Sequence, residues 1–189
     1  MPVNDLYMLG RVTTKMPIPL IPEHCTAIPA GPVRFVIEGR DRVPDAALLN
    51  HELPSGDEEI NALDDGGPSV HVFDAAGQTE YLRFDCFENE PHYHYLDHAA
   101  QRNLIVRIDP HAEGDPVSWA LERLRSHLPE MLRFTGADAL ADQVAEDHQR
   151  VRDAAVGIAE ILEANRAAVR MARATRERSH SSGESPART

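Results

Sequence analysis

Between Phe84 and His98 the chain gathers three of its ten histidines, His92, His94 and His98, with Cys86 and the carboxylates of Asp85, Glu88, Glu90 and Asp97. In an extended segment alternate side chains leave opposite faces, so His92 and His94 project together and Tyr93 and Tyr95 project the other way. Two imidazoles on one face with a carboxylate nearby are the donors of a divalent transition-metal site. The expected ligand set is His92, His94, His98 and Glu90, with Glu88 and Asp97 as further candidates. An open site of that kind polarises a substrate or activates water. The same residues also suit a metal-free polar pocket, or a clasp of hydrogen bonds that pins the loop after Pro91. His71 can reach the group only from an adjacent strand.

The His-x-His spacing invites comparison with cupins, but Glu90-Pro91 precedes it with no glycine nearby, and His98 stands where a Glu is expected. No second motif with Gly, Pro and a late His follows Asp109, so the cupin assignment fails. Cys86 is a nucleophile only beside a base that lowers its pKa. Its alternation with Leu82 and Phe84 places it on an apolar face, which makes an inert core thiol the expectation. No GxSxG, GxGxxG, P-loop or HExxH pattern occurs. The run from Phe84 to Tyr95, with its Pro91-His92-Tyr93-His94-Tyr95 core, resembles an uncharacterised bacterial domain family over Val70 to Leu132. That resemblance implies no activity and no catalytic residue.

These residues need a scaffold, and the pattern points to an α+β fold. A small, mostly antiparallel sheet of about four strands is covered by a helix and followed by a long C-terminal amphipathic helix. Val33 to Glu38 is β-branched and bounded by Gly31-Pro32 and Gly39, hence a strand. Ser69 to Asp74 and Thr79 to Phe87 alternate as a hairpin around Gly77, and Leu104 to Ile108 alternates as another strand. Asp45 to Leu53 and Asp57 to Leu63 are each expected to form a short helical turn, the second with the capping-box pair Ser55 and Glu58. Asp115 caps a helix with Pro116 at its first position and Val117, Leu121, Leu124 and Leu128 on one face. Residues 1–32 carry six prolines and form an extended arm, expected as a packed strap outside the sheet.

The longest element is expected over residues 136–178, opened by Thr135 and Asp138. Apolar or small residues recur at Ala141, Val144, Val151, Ala155, Ile158, Leu162 and Val169, with His148 and Asn165 in the same seam, a coiled-coil-like spacing that Ala154, Ile161 and Ala168 widen. Such a helix exceeds a domain spanning 33–135 in length, so it projects or breaks, with Gly157 the expected break. A projecting seam needs a partner, which makes a homo-oligomer or a protein partner through residues 136–178 the expectation. Residues 179–189 are polar and expected to be a disordered tail.

Charge narrows the function. Acidic residues outnumber basic ones 22 to 11 over residues 1–135 and 9 to 8 beyond, for a net of −12. That balance argues against nucleic acid, whose phosphates demand clustered cations. The arginines from Arg166 to Arg178 complement a helix C-terminus. No apolar run approaches the ~20 residues needed to cross a bilayer. No N-terminal signal pattern occurs, and the two cysteines have no CxxC spacing, so a reducing cytoplasmic location is expected. The leading expectation is a non-catalytic oligomeric assembly or accessory protein. The alternative is a small metalloprotein, an enzyme or not, using His92 and His94 to hold a divalent transition metal.

Overall fold

The computed structural model describes residues 9–40 and 66–181. The two short turns expected between Asp45 and Leu63 lie outside the described residues. The architecture is α+β, but among the described residues the sheet has seven strands, all antiparallel to their neighbours. They are β1 (Arg11–Thr13), β2 (Cys25–Ala30), β3 (Val33–Arg40), β4 (Gly67–Asp74), β5 (Glu80–Asp85), β6 (His92–Asp97) and β7 (Arg102–Arg107), in the order β1-β7-β6-β5-β4-β3-β2. Five helices follow: α1 (Pro110–Glu113), α2 (Pro116–Ser126), α3 (Leu128–Phe134), α4 (Asp138–Glu146) and α5 (His148–Ser181).

One face of the sheet carries the apolar alternation. Val33, Phe35, Ile37, Val70, Val72, Leu82 and Phe84 lie on it, all fully buried. The helices cover this face with Val117, Leu124, Leu128, Leu132, Val144, Val151, Ile158 and Leu162. Asp115 caps α2 as expected, accepting from the Ser118 amide at 2.9 Å. Thr135 does not cap α4. Its hydroxyl donates back to the Leu132 carbonyl at the end of α3, and Ala137 precedes the new helix.

The long element is two helices, and the break falls at Asp147 (φ −112°, ψ 30°), not at Gly157. Gly157 stays helical because α5 is held by packing on both sides of it: Ala155, Ile158 and Leu162 are fully buried. The seam therefore lies along the chain's own strands β2, β3 and β4, and α5 does not stand clear of the domain over those turns. Asn165 sits over Gly39, where a Cβ would come within 3.1 Å of its amide, so the glycine lets the helix lie close. Beyond Val169 the burial of α5 ends, and Arg170 and Arg173 reach down to Glu88. The helix extends to Ser181, past residue 178.

The proline arm is not wholly outside the sheet. Its ends form β1 and β2, the two edge strands, and Pro29 is tolerated in β2 because an edge leaves one row of backbone groups unpaired. Because β1 and β2 lie at opposite edges, residues 14–24 cross the full width of the sheet. Seven strands spaced ~4.8 Å span ~29 Å between the outer two, which an extended chain covers at ~3 Å per residue. The arm lies over the polar face rather than over an apolar core, and polar side chains hold it.

Candidate metal centre

The polar face is built from the residues that alternate away from the helices. The register aligns Glu38, Ser69, Asp85, His92 and Arg107 in one row across β3, β4, β5, β6 and β7. The next row holds Val36, His71, Arg83, His94, Ile105 and, on β1, Arg11. A hairpin turn over residues 86–91 joins β5 to β6 and sets Asp85 directly opposite His92.

Three of these side chains converge. Asp85, His92 and His94 each offer one ligand atom, and the three atoms lie within 4.8 Å of one another, a group able to hold a metal ion. His92 Nε2 is 3.3 Å and His94 Nε2 is 3.2 Å from the same oxygen, Oδ2 of Asp85. The opposite nitrogen of each ring is already engaged. His92 Nδ1 donates to the Glu90 carbonyl at 2.7 Å, and His94 Nδ1 meets Asn103 Oδ1 at 2.8 Å. The Asn103 amide is oriented by its own donation to the Lys15 carbonyl at 3.0 Å, so its oxygen must face His94. The second oxygen of Asp85 accepts from the Ser69 hydroxyl at 2.5 Å. Each prospective ligand thus has an outer hydrogen bond that fixes its orientation, the arrangement that metal-ligating histidines and carboxylates adopt.

The electrostatics follow from burial and pairing. Burial opposes ionisation of Asp85, but its contacts with His92 and His94 hold the carboxyl well below the usual range. Burial likewise opposes charging of His92, yet the hydrogen bond and charge of Asp85 raise it above its ordinary value. In neutral imidazoles with Nδ1 protonated, both Nε2 lone pairs would face an anionic oxygen. A proton on His92, which Asp85 favours, relieves part of that opposition, and a metal ion between the three groups would relieve all of it.

The remaining expected ligands are elsewhere. His98 is exposed at the far end of β6, and its Nε2 donates to the Glu80 carbonyl at 2.5 Å. Glu90 contributes its carbonyl to His92, while its carboxylate lies outward, 3.9 Å from Arg107. Glu88 is paired with Arg170 and Arg173, and Asp97 with Arg102. Asp85 is the prospective ligand that sequence reasoning missed. The signal was the hairpin itself, since Asp85 alternates with Arg83 away from Leu82 and Phe84, on the face that the pairing gives to His92.

His71 belongs to a second cluster under the arm. Its Nδ1 meets Glu80 at 2.6 Å, and its Nε2 lies 3.4 Å from Glu38 but off the line of a hydrogen bond. Arg83 grips both oxygens of Glu80 at 2.9 Å, and Arg40 binds Glu38 at 2.8 Å. Burial alone would raise Glu80, but His71 and Arg83 hold it at about 2. The same cluster fastens the arm, because Arg83 donates to the Ile18 carbonyl, Arg40 to the Pro19 carbonyl, and the Ile21 amide to Glu38. Pro19 lacks an amide donor and loses nothing there. Cys86 is buried and its thiol is pushed upward by desolvation, consistent with an inert core thiol.

Among the described residues no helix is long and apolar enough to cross a membrane. No curated protein and no solved structure matches the chain. A family model described as "Domain of unknown function (DUF7700)" matches residues 27–160, a span that contains Asp85, His92 and His94 but not the strap. The chain therefore belongs to this family of uncharacterised domains.

Proposed function

We propose that this protein is a small metalloprotein that holds one divalent transition-metal ion with Asp85, His92 and His94. The observation that carries the reading is the convergence of both Nε2 atoms on one oxygen of Asp85, with both Nδ1 atoms already engaged by oxygen partners. Structural metal sites are usually closed by four protein ligands, whereas three leave a coordination position for water or substrate. Such an ion would act as a Lewis acid or would lower the pKa of a bound water. The experiment is elemental analysis of untagged protein alongside its His92→Ala/His94→Ala variant. Stoichiometric metal in the parent and its loss in the variant are expected. A parent that takes up no transition metal on dialysis against excess ion overturns the proposal.

Assembly through residues 136–178 is the second reading. It draws on Val156 and Met171, which remain 60% and 72% exposed on α5. A monomer at micromolar concentration in sedimentation would remove it.

A further inference from the structure

The ligand that the ion would take is indicated by the other residues on the same face. Arg107 is the direct cross-strand neighbour of His92. Arg11 is opposite Ile105, which is itself opposite His94. Residues directly opposite share a face with Cβ atoms ~4.5–5.5 Å apart, and diagonal neighbours lie ~7–8 Å apart. Arg107 therefore stands beside the imidazole pair, with Arg11 diagonal to it. Of the three ligands, His92 is the most accessible, its side chain 22% exposed against 8% for Asp85 and 6% for His94. A ligand from solvent would approach on the His92 and Arg107 side, where the exposed side chains of the row lie. Arg107 is 75% exposed and lies 3.9 Å from the Glu90 carboxylate, itself 58% exposed, a surface pair that holds little and exchanges readily.

The charges agree. A divalent ion bound by one carboxylate and two neutral imidazoles keeps a net charge of +1, and Arg107 adds another beside it whenever its pair with Glu90 opens, on a chain whose total is −12. We infer, resting on the metal reading above, that the open coordination position takes a small oxyanion. One phosphate or carboxylate oxygen would sit on the ion and another on the Arg107 guanidinium, whose planar fork suits both groups. The rival occupant of that position is the carboxylate of Glu90.

Cobalt(II)-loaded protein, followed by its visible spectrum, separates these outcomes when titrated with inorganic phosphate and, in a parallel arm, with acetate. A response to phosphate assigns the dianion, and a response to acetate alone assigns a carboxylate ligand. Because a charge-assisted hydrogen bond is lost, Arg107→Gln is expected to weaken the responding anion about ten-fold while cobalt affinity stays within about two-fold. Glu90→Gln is expected to keep cobalt affinity and to tighten the anion by freeing Arg107. The inference is overturned if neither anion alters the spectrum, if Arg107→Gln binds the anion as the parent does, or if Glu90→Gln loses cobalt. A parent that takes up no cobalt overturns the metal reading and this inference with it, so the two failures are distinguishable.

Discussion

His94 and Asn103 meet at 2.8 Å between Nδ1 and Oδ1, and this contact selects the nitrogen that His94 leaves for an ion. Asn103 can present only its oxygen there, because its amide nitrogen is committed to the Lys15 carbonyl on the strap. One buried side chain on β7 thereby orients a prospective ligand on β6 and anchors the chain segment that crosses above it. Asn103→Ala is expected to lower metal affinity about 10–100-fold, the usual cost of an outer-shell partner. Asn103→Asp, which keeps an acceptor for His94, is expected to recover much of that loss. Competition with a chromophoric chelator measures both, and equal affinity in the alanine variant would contradict the role given to Asn103.

Metal binding is expected to release protons. In the metal-free protein Asp85 raises His92 above its ordinary 6.5, so an incoming ion must displace a proton there. Affinity should climb as pH rises and level off only above the raised value. Calorimetry in two buffers of different ionisation enthalpy reads the proton count, and identical heats in the two would show that no proton leaves.

Stability without metal should depend on pH from both sides. Glu80 has an ordinary value of 4.5 and is held at about 2, so its contribution is whole above 4.5 and is lost as pH falls toward 2. By linkage that contribution is on the order of 3 kcal/mol. Asp85 and Glu38, also lowered, act in the same direction. His92 acts oppositely: its contribution is whole below 6.5 and is lost as pH rises through the raised folded value. Urea unfolding in chelator is therefore expected to weaken below about pH 4.5 and, to a lesser degree, above about pH 6.5. A His92→Gln variant should lack the alkaline part.

Arg83 links the buried cluster to the strap, donating to Glu80 and to the Ile18 carbonyl. Replacing it with Met leaves Glu80 without its bidentate partner and is expected to destabilise by about 3–5 kcal/mol. Hydrogen exchange should rise across residues 14–21 before the core strands respond. If the strap stays as protected as in the parent, Arg83 does not fasten it.

Gly157→Ala is expected to stabilise the protein by about 0.5–1 kcal/mol, because glycine inside a helix costs that much relative to alanine. The added Cβ would meet only Ile28 Cδ1, at an ordinary 3.6 Å. Leu162→Ala, five positions on and fully buried against the sheet, should cost about 2–5 kcal/mol. Denaturant midpoints decide both, and a destabilised Gly157→Ala would mean that the helix bends there.

Local chemistry determined much of the chain on its own. A β-branched run between turn signals marked β3, and alternation marked β4, β5 and β7; the Asp115-Pro116 pair marked the start of α2; and the His92 and His94 spacing put two imidazoles on one face. Those features depend on neighbours in sequence, through pleat, capping and rotamer geometry. β1, β2 and β6 left little trace, since they are short, carry proline, or alternate histidine with tyrosine in place of a polar–apolar pattern. Only the tertiary structure brought Asp85 to His92 as a third prospective ligand, through a strand pairing and not through spacing. It likewise decided that the α5 seam packs on the chain's own sheet, and that the proline arm is held by Arg83, Arg40, Glu38 and Asn103. The helix and arm contacts join residues far apart in the chain, and Asp85 meets His92 only once the hairpin has closed in register. Burial of apolar area and the pairing of desolvated charges select such contacts, and neither is readable from one segment alone.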